Sequence, residues 1–302
     1  MNLRRLEYFL TVVETGQVTA AANKLYIAQP ALSRQLKKLE RELELTLFER
    51  QGTGLVLTQE GRQLASIARK LVSEAKTAKL AVGALRIGEV STLSVASTIA
   101  STRGFIAPFI ASTSPTDPAV TVHVAGHFEL IDLLDSGIDF LISPTAKAQY
   151  LETFDLVSYP IRAHVALGNP LAADGRTTIE LAHLCAQPLI VPSTASVSRG
   201  IFDAAVTSQQ HEVNVVTECD DGMVILALAA SGHGVGVTTE TGTFSTRSLQ
   251  VLVHGKPLSV PLHAAWRPGH YASEAIYRLV TRLREFGQQD AHVLRDDYER
   301  YE

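Results

Sequence analysis

The apolar pattern of this 302-residue chain changes its period near residue 85, and that change limits the folds open to it. Before it, apolar residues recur three and four apart, the spacing of helices with one buried face. After it, short strand-like runs alternate with helical segments, the rhythm of a parallel sheet with crossover helices. A chain divided in this way needs a small helical core and a larger α/β core. Its composition, 46% hydrophobic with a mean hydropathy of +0.11, is too apolar for disorder. The longest unbroken aliphatic stretch, Val224 to Ala230, is far short of the ~20 residues that a membrane-spanning helix needs. The first residues, MNLRRLEYFLTVVETG, lack the apolar core and small-residue cleavage site of a secretory signal. Two cysteines, Cys185 and Cys219, can build neither a disulfide framework nor a four-cysteine zinc site. The expectation is a cytoplasmic protein with no membrane partner.

Charge divides at the same place. Residues 1–86 carry 14 Lys/Arg against 8 Asp/Glu, whereas residues 87–302 carry 13 against 23. Such a division suits a first part that meets a polyanion and a second that does not.

Within the basic part, Leu3, Leu6, Phe9, Leu10 and Val13 mark a helix that Thr15-Gly16 ends. Val18 to Leu25, slim through Ala20, Ala21 and Ala22, reads as a second helix. After the turn Tyr26-Ile27-Ala28, Pro30 sits where a helix's first turn tolerates it, and Leu32, Leu36 and Leu39 carry a third helix to about Glu44. This is a helix-turn-helix pattern. Leu47 to Arg50, Gln51 to Gly54 and Leu55 to Leu57 then read as a short hairpin, or wing. Thr58 caps the next helix, with Glu60 in its first turn. Leu64, Ala68, Leu71, Ala75, Ala78, Val82 and Leu85 continue it at alternating spacings of four and three. That is the seam of a dimerising helix, although a helix packed on its own domain gives a similar stripe.

Beyond residue 85 the expected strands are Leu85 to Gly88, Val120 to Val124, Phe140 to Ser143, Arg162 to Leu167, Leu189 to Pro192, Asn214 to Thr217 and Gly234 to Thr238. A C-terminal helix runs through Ile276, Leu279, Val280, Leu283 and Phe286, followed by a polar tail from about Asp290. Two sets of strands in ~215 residues imply two α/β lobes with a cleft between them.

The stretch LEYFLTVVETGQVTAAANKLYIAQPALSRQLKKLERELELTLFERQGTGLVLTQEG resembles the N-terminus of LysR-type transcriptional regulators. The resemblance is carried in order by the leading Leu-x-x-Phe, the Ala-Ala-x-x-Leu helix, Gln29 to Gln35, Leu39-Glu40, Leu47 to Arg50 and Leu57-Thr58-x-x-Gly61. It implies an α plus α/β architecture. A winged helix-turn-helix over residues 1–58 is followed by a dimerising linker helix over 59–84. A two-lobed, periplasmic-binding-protein-like effector domain follows over 85–302, with lobe I at about 85–160 and 267–302 and lobe II at about 161–266. The implied function is that of a sequence-specific transcriptional regulator, not an enzyme. Its partners would be promoter DNA, a small-molecule effector and further copies of itself, as a dimer through the linker helix and a homotetramer. RNA polymerase is a further partner the family plan accommodates.

By the same resemblance Gln29, Pro30, Ser33 and Arg34 enter the major groove, Lys38 lies nearer the phosphates and Arg50 near the backbone at the wing. Arginine can pair bidentately with guanine and glutamine with adenine, which is consistent with those roles. Two positions depart from the family pattern. Ala28 stands where a serine usually caps the recognition helix, and the Gly52-Thr53-Gly54 wing lacks an arginine usual there.

For the effector, the ends of strands and starts of helices are the natural contact points. Ser91 and Thr92, His127 and Phe128, and Ser193, Thr194 and Arg199 meet that description and would suit a small organic acid, although Ser and Thr there also serve as helix caps. No cofactor or metal site is expected. His123 and His127 are separated by a strand end and a glycine, which spoils their four-residue spacing as a metal pair. Gly232 to Gly236 follows a helix and precedes a strand, so it reads as a tight turn, not a phosphate loop. Asp220 and Asp221 read as an acidic helix start. The rival reading is a small-molecule-binding protein or enzyme that carries an accessory helix-turn-helix. Against the enzyme stands the lack of a nucleophile motif, a phosphate loop or a dinucleotide fingerprint.

Overall fold

A computed structural model describes residues 2–51, 54–87, 90–146, 148–172, 175–241 and 244–296. The chain forms two compact units, residues 1–89 with 132–138 and residues 90–131 with 139–302.

In the first unit, α1 (Leu3–Thr15) starts at Asn2, whose side chain accepts the Arg5 amide, and stops at Gly16 with φ +66°. α2 (Val18–Lys24) and α3 (Gln29–Leu43) complete the helix-turn-helix. Phe9, Leu32 and Leu39 fill its centre, and Phe9 meets Phe48 at 5.3 Å between ring centroids. β1 (Phe48–Gln51) pairs antiparallel with β2 (Gly54–Leu57), with Arg50 opposite Leu55. The Leu55 amide donates to the Gly16 carbonyl at 3.0 Å, so the hairpin is tied to the end of α1.

α4 (Gln59–Ile87) begins where Thr58 Oγ1 accepts the Gly61 amide at 2.9 Å and donates to the Thr46 carbonyl at 2.8 Å. A Cβ on Gly61 would stand 2.2 Å from the Leu47 carbonyl oxygen, so only glycine lets the helix pass there. The expected strand Leu85 to Gly88 is therefore corrected: Leu85 to Ile87 continue α4, and Gly88 lies outside the described residues. Helix period simply extends further than the short apolar run suggested. The expected seam also divides. Ala68 is fully buried in its own unit, while Leu71 and Val82 are exposed together with Ile67 and Ala78. The helix thus has one stripe for its own core and another facing solvent.

The second unit holds two sheets. In the first, β3 (Thr92–Ser97) lies parallel between β4 (Ala119–Val124) and β5 (Phe140–Ser143). Between β3 and β4 come α5 (Ile99–Ser101), a π turn (Thr102–Ile106) and α6 (Ala107–Ala111). A 3-10 turn (His127–Glu129) and α7 (Leu130–Leu134) lie between β4 and β5. β6 (Glu152–Pro160) leads to the second sheet. There β7 (Arg162–Ala166), β8 (Thr178–Glu180), α8 (Leu181–Cys185), β9 (Pro188–Pro192), α9 (Val197–Ser208), β10 (Asn214–Cys219), α10 (Gly222–Ala230), β11 (Val235–Thr238), β12 (Thr246–Val253) and β13 (Lys256–Pro257) follow in turn. β14 (Ser259–Trp266) returns to the first sheet, antiparallel to both β5 and β6. α11 (Ser273–Asp296) ends the described chain.

The strand orders are β4-β3-β5-β14-β6 and β10-β9-β11-β7-β12-β13, with β8 beside β12. Because β14 pairs in the first sheet, the return to lobe I comes at residue 258, earlier than the expected boundary at 266. The two crossings run side by side, joined by the Ile161 amide donating to the Leu258 carbonyl at 2.7 Å. The polar tail expected from Asp290 is helical as far as Asp296, and residues 297–302 lie outside the described residues. Among the described residues no helix is long and apolar enough to cross a membrane.

Candidate nucleic-acid interface and effector cleft

α3 buries Leu32, Leu36 and Leu39, and this leaves Gln29, Pro30, Arg34, Lys37, Lys38 and Arg41 in solvent. Ser33 is half-buried, and its hydroxyl accepts from Gln29 Nε2 at 3.1 Å. Arg34 and Lys38 have no acidic partner among the described residues, so their charges are available to a ligand. Ala28 makes no side-chain cap, Pro30 has no N–H and the Ala31 amide already donates to the Ala28 carbonyl at 2.9 Å, so the Gln29 amide and the positive dipole end are left for another acceptor. Tyr26, with φ +54° and 95% exposed, stands in the turn that precedes them. Arg50 projects from the exposed part of β1. Gly52 and Thr53, the tip of the expected wing, lie outside the described residues. The unit is braced by an ion pair between Arg5 and Glu42, which holds the Glu42 carboxyl down to about 2.

The second unit contains a cavity of about 620 Å³ between its two sheets. Its walls come from the carboxyl ends of parallel strands: Thr98 after β3, His127 after β4, Ser193 after β9, Asp220 after β10 and Glu240 after β11. Strands that run in one direction deliver their following loops to one edge, which is why these residues converge. Thr98 caps α5, and Thr102 in the π turn bonds both the Thr98 carbonyl (2.9 Å) and Ser97 Oγ (2.6 Å). The same π turn presents Arg103, whose Nη1 lies 3.3 Å from both carboxylate oxygens of Asp221, the cap of α10. That pair links the lobes. Burial holds the His127 imidazole below its usual pKa, so the ring is neutral at physiological pH; it reaches Thr145 Oγ1 at 3.1 Å. Glu240 is 8% exposed, and burial pushes its carboxyl above the usual range. The charge of Arg103 opposes that rise and the charge of Asp221 adds to it.

A bacterial regulatory helix-turn-helix model of the lysR family matches residues 3–62, and a LysR substrate binding domain model matches residues 86–288. The chain belongs to the LysR family of transcriptional regulators. It is 30% identical over 267 residues to the nitrogen assimilation regulatory protein nac of Escherichia coli (strain K12), covering 84% of this chain and 83% of that protein. It is also 29% identical over 250 residues to the HTH-type transcriptional regulator BsdA of Bacillus subtilis (strain 168), covering 80% and 84%. Among solved structures, CbnR, a LysR family transcriptional regulator, superposes with a TM-score of 0.71 at 22% identity, over 94% of this chain and 99% of that one. Full-length CbnR complexed with its target DNA gives a TM-score of 0.72 at 23% identity, over 94% and 100%. As a LysR-type protein the chain is a DNA-binding transcriptional regulator with an effector-binding domain, and it is not an enzyme. The rival reading, an enzyme or binding protein with an accessory helix-turn-helix, has no support from these relatives.

Several expected effector residues lie away from the cavity. Ser91 and Thr92 are exposed at the start of β3, the end opposite to the cleft, because the true strand begins where the sequence pattern suggested that it had ended. Phe128 is 78% exposed beside His127, and Thr194 is exposed next to Ser193. Arg199 is committed elsewhere, donating to Asp203 (2.8 Å), Glu218 (2.9 Å) and the Pro192 carbonyl (2.8 Å). His127 and Ser193 do line the cavity. The residues missed were Thr98, Ser101 and Glu240. Glu240 had a usable signal, since it lies just past a strand that the pattern located correctly.

Proposed function

We propose that this LysR-type regulator reads promoter DNA with Gln29, Pro30, Ser33 and Arg34 in the major groove, while Lys38 and Arg50 contact phosphates. The observation that carries this reading is the solvent-facing cationic side of α3, where Arg34 and Lys38 have no acidic partner among the described residues. Arginine and glutamine supply base-edge recognition, and the uncapped helix start favours a phosphate. The solvent-facing stripe of α4, Ile67, Leu71, Ala78 and Val82, supports dimerisation through the linker helix. Two such dimers would form a tetramer that spans several helical turns and works in the cytoplasm, with RNA polymerase as its downstream contact. A small effector bound in the 620 Å³ cleft would bias the angle between the lobes, which requires unequal affinity for open and closed forms.

The test is a nuclease footprint on DNA upstream of the protein's own gene, run beside Arg34→Ala. Protection over several helical turns that disappears in the variant is the expected result. Protection unaffected by the variant would remove α3 from the interface.

A further inference from the structure

Glu240 is the most buried acid in the wall of the cleft. It forms part of the cavity wall, it is 8% exposed, and among the described residues nothing donates a hydrogen bond to its carboxylate or forms a salt bridge with it. An acid so little exposed, with no side-chain partner of its own, is unfavourable unless something in the cavity meets it. The surroundings preserve its position. A Cβ on Gly222, at the start of α10, would lie 2.5 Å from Glu240 Cγ, so glycine there makes room for the acid.

The rest of the wall has the same sign. Glu129 and Asp220 are its other charged members, and among the described residues no Lys or Arg lines it. Arg103 is the cation whose charge reaches Glu240, and it is already held by Asp221. The apolar part of the wall includes Phe105 and Tyr159, packed edge to face at 5.6 Å, and aromatic rings favour a nearby cation. A simple dicarboxylate entering this space would meet like charge, whereas a cation would meet its complement.

We propose that the effector carries a protonated amine and that Glu240 receives it, with Asp220 and Glu129 drawing it into the cleft. This rests on the cleft being the effector site of a DNA-binding regulator. An ammonium group would give Glu240 the charge-assisted hydrogen bonds it lacks. Ser193 and Ser198 remain for polar groups elsewhere on the ligand.

The experiment is thermal unfolding of the full chain with 1,4-diaminobutane, 4-aminobutanoate or butanedioate at matched ionic strength, for the natural sequence and Glu240→Gln. The melting temperature is expected to rise with at least one of the two amines and not with butanedioate. In Glu240→Gln the half-saturating amine concentration should rise roughly tenfold or more. A response to butanedioate, an amine response unchanged in Glu240→Gln, or no response to either amine up to about 50 mM overturns the assignment. If Glu240→Gln does not fold, Gly222→Ala, which displaces the carboxylate but keeps its charge, must weaken the amine response instead. The ligand-free footprint is measured separately. Its loss with an intact amine response counts against the regulator reading, and an intact footprint without an amine response counts against the amine alone.

Discussion

Among the described residues, Arg34 and Lys38 on α3 stand in solvent with no acidic partner, whereas in the effector cleft Glu240 is buried without a salt bridge and, of the cations, is reached only by the charge of Arg103. Both are unpaired charges, but they cost the fold different amounts. A solvated cation is nearly free to keep, and it suits a ligand as large and as charged as DNA, which brings its own phosphates and releases counterions on binding. A buried acid must be held by surrounding structure, and it suits a small ligand that the protein encloses. The proposed DNA contacts therefore stand on the exposed face of a helix whose other face is packed in the core. The proposed effector contact is instead built into the wall of the cleft.

The largest predicted effect probes the packing beneath α3 and the wing. Gly61→Ala should cost roughly 3 kcal/mol or more in urea unfolding of the first unit, because its methyl group would overlap the Leu47 carbonyl. A loss below ~1 kcal/mol would mean that the linker helix can shift off the wing at little cost. Next, Arg34→Ala should weaken specific DNA binding by about 1–3 kcal/mol and leave the melting temperature unchanged. A drop in melting temperature would show that this charge also serves the fold, and the contrast with Glu240 would blur.

The effector unit should respond to pH through two buried groups. His164 is fully buried on β7, and burial, with the charge of Arg162 adding, holds its pKa at about 3. Its folded value lies below its unfolded value, so the unfolded chain binds the extra proton between the two. Stability should thus fall as pH drops from about 6.5 toward 3, by up to about 1.4 kcal/mol per pH unit, and His164→Leu should flatten that slope. Glu240 acts in the opposite sense. Its folded value is raised, so the stability it contributes is present at low pH and is lost as pH rises through the folded value; Glu240→Gln should remove that decline. The smallest effect expected is from Ala28→Ser, which should add about 1 kcal/mol to the stability of the first unit by capping α3. If DNA binding weakened at the same time, the free helix start would be part of the interface.

The helix-turn-helix was legible because its signals are local. Proline in the first turn of α3, glycine after α1 and the spacing of Leu32, Leu36 and Leu39 each act within a few residues. The cleft depends on where strands end, and that was harder to read. An apolar run at Leu85 to Ile87 passed for a strand although it closes α4, so the loop chosen as the first ligand contact fell at the wrong end of β3. The antiparallel strands β6, β12 and β14 were not anticipated, because they interrupt the alternation of strand and helix that made the other strands visible. Arg199 illustrates the remaining difficulty. Its position after a strand was right for a ligand contact, yet Glu218 and Asp203, distant or adjacent in sequence, took its charge.

The hydrogen bond between Ile161 and Leu258 has a mechanical consequence. Two strands pass between the lobes, and this bond holds them as a pair, so they behave as a strap with width and not as two separate threads. A strap can fold along one line but resists being wrung or slid sideways. Any change in the mouth of the cleft is then confined to a single angle, and a molecule settling against Glu240 would set that one angle for the whole domain.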